Sequence, residues 1–125
     1  MKMKQKLLVV DDNESFITLL KIGLQDENYE VDTAGNGISA LLRMEKTSYD
    51  WLVSDIRMDE LDGIELAQEV KERYPQTKII LMTAFDVPDR TGELEVEVVL
   101  EKPIHVEDLC KIINNGSKWK ETKLC

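Results

Sequence analysis

The chain is poor in the residues that define several common protein classes. Among its 125 residues there are two cysteines and one histidine, with no spacing typical of a zinc site or a disulfide framework. The apolar run behind the basic N-terminus is only Leu7–Val10, which is too short for a signal peptide. No run approaches the roughly 18 residues of a membrane span. These absences argue against zinc-finger, disulfide-rich secreted and membrane-spanning classes, and they favour a cytoplasmic protein.

Positive charge is outnumbered by negative charge. The chain has 16 Lys and Arg against 25 Asp and Glu, a formal net charge of −9. Such a chain lacks the basic surface that nucleic acids and anionic membranes require. We therefore expect no direct nucleic-acid binding and no membrane binding. At 42% apolar residues the chain can bury a core, and its length fits one domain.

Apolar runs alternate with segments of helical period along the whole chain. The predicted strands are Leu7–Val10, Tyr29–Thr33, Trp51–Val53, Lys78–Met82 and Val96–Leu100. The residues expected on the core faces of the first two helices are Phe16, Leu19, Leu20, Leu24, Ile38, Leu41 and Leu42. Asn36 and the Asp62–Glu65 pair are typical of helix N-termini. This alternation predicts an α/β fold, a doubly wound parallel sheet with helices on both faces.

One strand–helix unit is irregular. The segment Phe85–Glu95 has no helical apolar period, and Pro88 and Gly92 interrupt it, which predicts a short or irregular fourth helix. The fifth strand carries three glutamates on one face, Glu95, Glu97 and Glu101. A face covered by a full helix would not normally hold them, so we expect this edge of the sheet to be partly wet.

Polar residues follow four of the strands at their carboxyl ends, where ligands bind in sheets of this kind. Asp11 and Asp12 follow the first strand, Asp55 the third, Thr83 the fourth and Lys102 the fifth. If the first and third strands are neighbours, three carboxylates converge, and such a cluster is unfavourable without a cation. Mg²⁺ prefers oxygen ligands of this type. A carboxylate beside it can act as the nucleophile toward a phosphoryl group.

Each of these residues also has a simpler interpretation by itself. Asp11 and Asp12 could cap a helix, and Asp55 could be a turn residue. Thr83 could merely end a strand, and Lys102 could be a surface charge. The prediction of a site rests on all five standing at strand ends together.

Five short motifs, in order, resemble the receiver domain of two-component response regulators over about Lys6 to Asn115. They are Val9-Val10-Asp11-Asp12-Asn13, Ala34-Gly35-Asn36-Gly37 with Ala40-Leu41, Asp55-Ile56-Arg57-Met58 with Asp62-Gly63, Met82-Thr83-Ala84 and Leu100-Glu101-Lys102-Pro103-Ile104. The resemblance implies a CheY-like fold with strand order 2-1-3-4-5. It also places a receiver domain at residues 1–116. Residues 117–125 would then be a tail or the start of a truncated linker.

The resemblance also implies a role for each site residue. Asp55 would be the phosphoacceptor, Lys102 would pair with it and then with the phosphate, and Thr83 would supply the switch hydroxyl. The implied Mg²⁺ ligands are Asp11, Asp12, Asp55 and the backbone carbonyl of Arg57. In the family the Lys-Pro bond is typically cis, so Lys102–Pro103 is expected to be cis as well.

The implied function is that of a signalling phosphoacceptor rather than an enzyme. It would assist only its own phosphorylation and dephosphorylation. The phosphoryl donor would be a sensor histidine kinase or a phosphotransfer protein, and a homodimer is left open. His105, the only histidine, is expected to lie on the surface of a first helical turn.

The sequence departs from the family pattern at several positions. Asp59 stands where the family usually has proline, and Val99 stands where it usually has an aromatic rotamer switch. Apolar Phe85, near Thr83, predicts slow self-dephosphorylation. These departures leave an alternative open, a receiver-like interaction module that does not switch. A small-molecule enzyme on the same sheet is disfavoured, since Asp11 and Asp12 stand where a flavin-binding phosphate loop would lie.

Overall fold

The computed structural model describes residues 4–84 and 94–115, which form one parallel sheet with helices on both sides. The strands are β1 (Lys6–Val10), β2 (Glu30–Ala34), β3 (Trp51–Asp55), β4 (Lys78–Thr83) and β5 (Val98–Glu101). Their order is β2-β1-β3-β4-β5, and every neighbouring pair is parallel. The described helices are α1 (Glu14–Asp26), α2 (Gly37–Lys46), α3 (Gly63–Arg73) and α4 (Val106–Asn115). The predicted α/β fold and strand order are confirmed.

The central strands are buried on both faces, as their unbroken apolar runs predict. Leu7 and Val9 of β1 face a cluster completed by α1 and α4, whereas Leu8 and Val10 face a cluster completed by α2 and α3. β1 and β3 therefore lie in the interior of the domain, with a hydrophobic cluster on each face of the sheet. No helix in the described ranges is both long and apolar enough to cross a membrane.

Three helices begin with a side chain that caps the free backbone amides of the first turn. Asn13 accepts a hydrogen bond from the Phe16 amide at the start of α1. Asn36 does the same at the start of α2, and Asp62 forms a full capping box with Glu65 at the start of α3. The capping roles predicted for Asn36 and Asp62 are confirmed. Each cap starts its helix soon after a strand ends.

The expected core faces of α1 and α2 are partly wrong. Leu19 is 69% exposed, and Ile38 and Leu42 are 47% and 56% exposed. The residues that these two helices bury are Ile17, Leu20, Leu24, Gly37, Ala40 and Met44. In α1 the buried stripe follows an i, i+3, i+7 spacing, which leaves Leu19 about 100° away from Leu20. In α2 the stripe nearest the sheet holds small or flexible residues, so the bulkier apolar ones point outward.

The edge strand β5 is shorter at its start than predicted. The Glu97 side chain accepts a hydrogen bond from the Ile79 amide at 3.0 Å, just before the first strand residue. Glu95 and Glu101 are exposed, while Val98 and Val99 are only half-buried. This edge is therefore partly open to water, as expected. The fourth-helix prediction falls mainly on residues 85–93, which lie outside the described residues.

The start of α3 leaves no room for a side chain at Gly63. A Cβ built there would clash with the Asp55 carbonyl oxygen and would lie 2.8 Å from the Ile56 Cα, both of them backbone atoms. Gly63→Ala should therefore lower the free energy of unfolding by about 1–3 kcal/mol, the usual cost of overpacking. Urea unfolding followed by circular dichroism measures the change.

The matched control is Gly35→Ala, because nothing lies within 4 Å of a Cβ at that position. This variant should unfold near the wild-type midpoint. Equal midpoints for the two variants would contradict the close packing of α3 on β3.

Candidate functional site

The site lies at the carboxyl edge of the sheet, where backbone hydrogen bonds continue beyond the strands. The Asp11 amide donates to the Ala34 carbonyl at 3.2 Å, and the Ile56 amide donates to the Met82 carbonyl at 2.8 Å. The Lys102 amide donates to the Thr83 carbonyl at 2.7 Å. The backbones of the loops that follow these strands are thus tied to their neighbours, so the side chains at their tips project from a fixed edge.

Three carboxylates meet at this edge. One carboxylate oxygen from each of Asp11, Asp12 and Asp55 lies within 4.8 Å of the others. Asp11 is 1% exposed and Asp55 7% exposed, whereas Asp12 is open to solvent. The convergence predicted from the strand ends is confirmed, and it depends on β1 and β3 being adjacent.

Lys102 is the cation of this pocket. Its Nζ lies 2.7 Å from Asp11 Oδ2 and 3.5 Å from Asp55 Oδ1. With three carboxylates and one ammonium, the formal charge of the group is −3 + 1 = −2. The set is therefore short of positive charge, and its oxygen donors are those that a hard divalent cation prefers.

The carboxylate of Asp11 is fixed by two partners. Its Oδ1 accepts a hydrogen bond from the Asn13 amide at 3.0 Å, and its Oδ2 accepts one from Lys102. This arrangement is reasonable for a buried charge, because each oxygen has a donor. The Asp11 carboxylate is thus held on one side by the turn between β1 and α1.

Asp55 is the carboxylate whose ionisation is most affected by its surroundings. Burial, followed by the negative charge of Asp11, raises the pKa of Asp55 above its ordinary value. The ammonium of Lys102 acts in the opposite direction, and Asp12 adds a smaller upward effect. Burial and like charge therefore outweigh the lysine, and the ionised form of Asp55 is disfavoured in the folded chain.

The remaining predicted residues lie at the end of β4 and on the loops that follow β3 and β5. Thr83 ends β4 and is 1% exposed, while Arg57 is exposed two residues after Asp55. Asp59 is also exposed on the loop before α3, in which Glu60 adopts a positive φ of 63°. The Lys102–Pro103 bond is cis, as expected, and His105 is exposed.

One neighbour of the site was not predicted to belong to it. The Phe16 ring centroid lies 4.4 Å from Lys102 Nζ. The sequence placed Phe16 on the core face of α1, and it does pack against that core. An aromatic residue in the first helical turn after Asp11 and Asp12 is the signal that could have identified it.

Residues 7–114 match the family model of the response regulator receiver domain. The transcriptional regulatory protein GlrR of Escherichia coli is 34% identical over 127 residues, which cover 92% of this chain and 29% of GlrR. The response regulator receiver protein CpdR of Brucella abortus is 39% identical over 111 residues, which cover 86% of this chain and 91% of CpdR. The chain thus spans less than a third of GlrR but most of CpdR.

A solved structure with the same fold carries ligands. The response regulator protein TrrA of Thermotoga maritima, in complex with Mg²⁺ and BeF, superposes with a TM-score of 0.79 at 33% identity. The match covers 89% of this chain and 97% of that one. The chemotaxis protein CheY4 of Vibrio cholerae superposes with a TM-score of 0.83 at 31% identity, over 90% of this chain and 98% of its own.

The electrostatics of the pocket predict that Asp55→Asn stabilises the domain at pH 7 in metal-free buffer. The substitution removes a charge whose folded-state pKa is raised by burial and by Asp11, so Tm should rise by a few degrees. As the pH falls, Asp55 of wild type is protonated at a higher pH in the folded state than in the unfolded state, because its folded-state pKa is the higher of the two. The advantage of the variant should therefore shrink as the pH falls through that raised pKa, and it should vanish below the ordinary value of 3.8.

Thermal unfolding at a series of pH values checks this expectation. Asp59→Asn removes the same charge from an exposed position and should leave Tm nearly unchanged. A Tm for Asp55→Asn below that of wild type at pH 7 would show that the Lys102 pairing outweighs burial.

Proposed function

The chain belongs to the response regulator receiver domain family, and from that premise we propose that Asp55 is the residue that accepts the phosphoryl group. The observation that carries the proposal is the position of its carboxylate. It is buried at the end of β3, with two further carboxylates close by and an ammonium 3.5 Å away. A turn residue would need none of these neighbours.

The proposed step is a transfer to oxygen. A carboxylate oxygen of Asp55 forms a bond to phosphorus while the bond from phosphorus to the donor breaks, leaving an acyl phosphate. The donor keeps the electron pair of the broken bond. We assign the donor to a sensor histidine kinase or a phosphotransfer protein, as the family implies. The chain itself would assist only this transfer and the later hydrolysis.

The donor set of the pocket fits Mg²⁺. The proposed protein ligands are the carboxylates of Asp11, Asp12 and Asp55 with the backbone carbonyl of Arg57, and retained waters would complete the coordination. When bound, Mg²⁺ would supply positive charge to the phosphoryl oxygens. The net charge of −2 on the group supports this assignment, since a divalent cation brings it to zero.

Two further side chains would act on the phosphoryl group. Lys102 already lies between Asp11 and Asp55 and is 0.8 Å farther from Asp55 (3.5 Å against 2.7 Å). A small movement would bring its ammonium onto a phosphoryl oxygen. Thr83 lies one residue beyond Met82, which is the register partner of Asp55 in β4. This register supports its proposed role as the switch hydroxyl.

The wider role of the chain is also part of this proposal. Relatives such as GlrR are named as transcriptional regulatory proteins, but this chain spans only part of their length. Homodimerisation, a cytoplasmic location and a role for residues 117–125 as a tail or linker remain predictions. So does slow dephosphorylation, because Phe85 lies outside the described residues.

A receiver-like module that binds a partner without switching is the alternative function. Val99 favours it, because this half-buried side chain packs with the α2 and α3 cluster and has no ring to rotate between inward and outward positions. In that case Asp55 would not be labelled by any phosphodonor. The labelling experiment below therefore separates the two functions.

We predict that wild type is labelled by acetyl phosphate with Mg²⁺ present, whereas Asp55→Asn is not. The variant lacks the nucleophilic oxygen but keeps the shape of the side chain. Intact mass, with a gain of one phosphoryl group, and mobility in a Phos-tag gel measure the result.

Asp59→Asn is the control for that experiment. It lies on the same loop and is exposed, so it should remain competent for labelling. A full signal on Asp55→Asn would overturn the assignment of the acceptor. No signal on wild type would favour the non-switching module.

The proposed ligand set also predicts that Asp12→Asn weakens Mg²⁺ binding by about tenfold or more, since even groups one step removed from a metal commonly cost that much. Asp12 is the solvent-exposed carboxylate of the cluster, so its replacement should disturb the fold little. Isothermal titration calorimetry with MgCl₂ measures the affinity. Affinity equal to wild type would remove Asp12 from the ligand set.

A further inference from the structure

We propose that Phe16 is a positioning residue, whose ring holds the Lys102 ammonium over the acidic pocket in the place from which it meets the phosphoryl group. The inference rests on the proposed function, because it assigns Phe16 to the same site. It concerns a residue that touches Lys102, not the reacting atoms.

Three groups lie close to Lys102 Nζ. Asp11 Oδ2 lies at 2.7 Å, Asp55 Oδ1 at 3.5 Å and the Phe16 ring centroid at 4.4 Å. The lysine side chain is 21% exposed. Two carboxylates and one ring face thus surround the ammonium, and water reaches only part of it.

The Phe16 ring can attract the Lys102 ammonium. An ammonium within about 6 Å of a ring centroid is attracted by the negative face of the ring. Lysine has a flexible four-carbon stem and a strongly hydrated head, so an acidic neighbour alone does not fix its direction. In this pocket Asp11 pulls the ammonium away from Asp55. A ring contact adds a second, weakly directional attraction that keeps the head within the pocket.

Hydrogen bonds connect the Phe16 backbone to Asp11 through Asn13. The Phe16 amide donates to Asn13 Oδ1 at 3.1 Å, and the Asn13 amide donates to Asp11 Oδ1 at 3.0 Å. The ring also packs against the core beneath α1. The backbone of Phe16 and the carboxylate of Asp11 are therefore both hydrogen-bonded to Asn13, and the ammonium contacts the side chains of both residues.

The test compares Phe16→Leu, which keeps apolar bulk but loses the ring face, with Phe16→Tyr, which keeps the ring. The rate constant for labelling by acetyl phosphate at saturating Mg²⁺ should fall about two- to fivefold in Phe16→Leu, the range expected for losing an exposed cation–π contact. It should stay near wild type in Phe16→Tyr. Leu19→Ala is the control on α1, because this side chain is 69% exposed and should label normally.

A second measurement does not depend on phosphorylation. In ¹³C-edited NMR of metal-free wild type, the ε-protons of Lys102 should show an upfield ring-current shift. The shift should persist in Phe16→Tyr and vanish in Phe16→Leu. If Phe16→Leu lowers Tm strongly, Phe16→Met gives a second ringless variant with a flexible apolar side chain.

The outcomes are separable. Absence of labelling in wild type would remove the proposed function, while the NMR shift would still report on the ring contact. A labelling rate equal to that of wild type in Phe16→Leu would overturn the inference. Equal slowing of Phe16→Leu and Phe16→Tyr would also overturn it, because it would indicate a packing role only. Absence of the ring-current shift in wild type would also overturn it.

Discussion

The contact of one ammonium with two buried carboxylates is the constraint around which the carboxyl edge of this domain is organised. Lys102 satisfies Asp11 at 2.7 Å and reaches Asp55 at 3.5 Å, but it cannot balance three negative charges. Holding such a group together opposes folding, since like charges in a partly buried site repel. Burial, followed by the negative charge of Asp11, raises the pKa of Asp55 above its ordinary value, so the ionised carboxylate also opposes folding. The stability needed to offset it must come from the rest of the sheet.

The carboxylates stand at the ends of two interior strands, which fits this requirement. β1 and β3 are buried on both faces and have neighbours on both sides, so they cannot easily yield to the repulsion. The tight approach of Gly63 to the Asp55 carbonyl packs the start of α3 against the end of β3. The edge strand β5, by contrast, begins with two half-buried residues and ends in the exposed Glu101. Rigid strands thus hold the charges, and the more open edge is left for surface functions.

Much of this arrangement could be predicted from the sequence, and the failures have a physical cause. Strand positions, capping residues and the placement of Asp11, Asp12 and Asp55 at strand ends followed from patterns local to each element. The convergence of the three carboxylates depends in addition on β1 and β3 being neighbours. The resemblance to a family supplied the strand order. Leu19, Ile38 and Leu42 were assigned wrongly to the core, because hydrophobicity alone does not say which stripe of a short helix lies closest to the sheet. The Phe16–Lys102 contact joins residues 86 positions apart (102 − 16), and no local pattern reports such a meeting.

The same charge balance links the two proposed ligands. A phosphoryl group on Asp55 adds negative charge to a set that already carries −2, so phosphorylation and cation binding must support each other. The hydrogen bond from the Lys102 amide to the Thr83 carbonyl, at 2.7 Å, joins the two loops whose side chains would meet the new group. A movement of either loop toward Asp55 therefore involves the other.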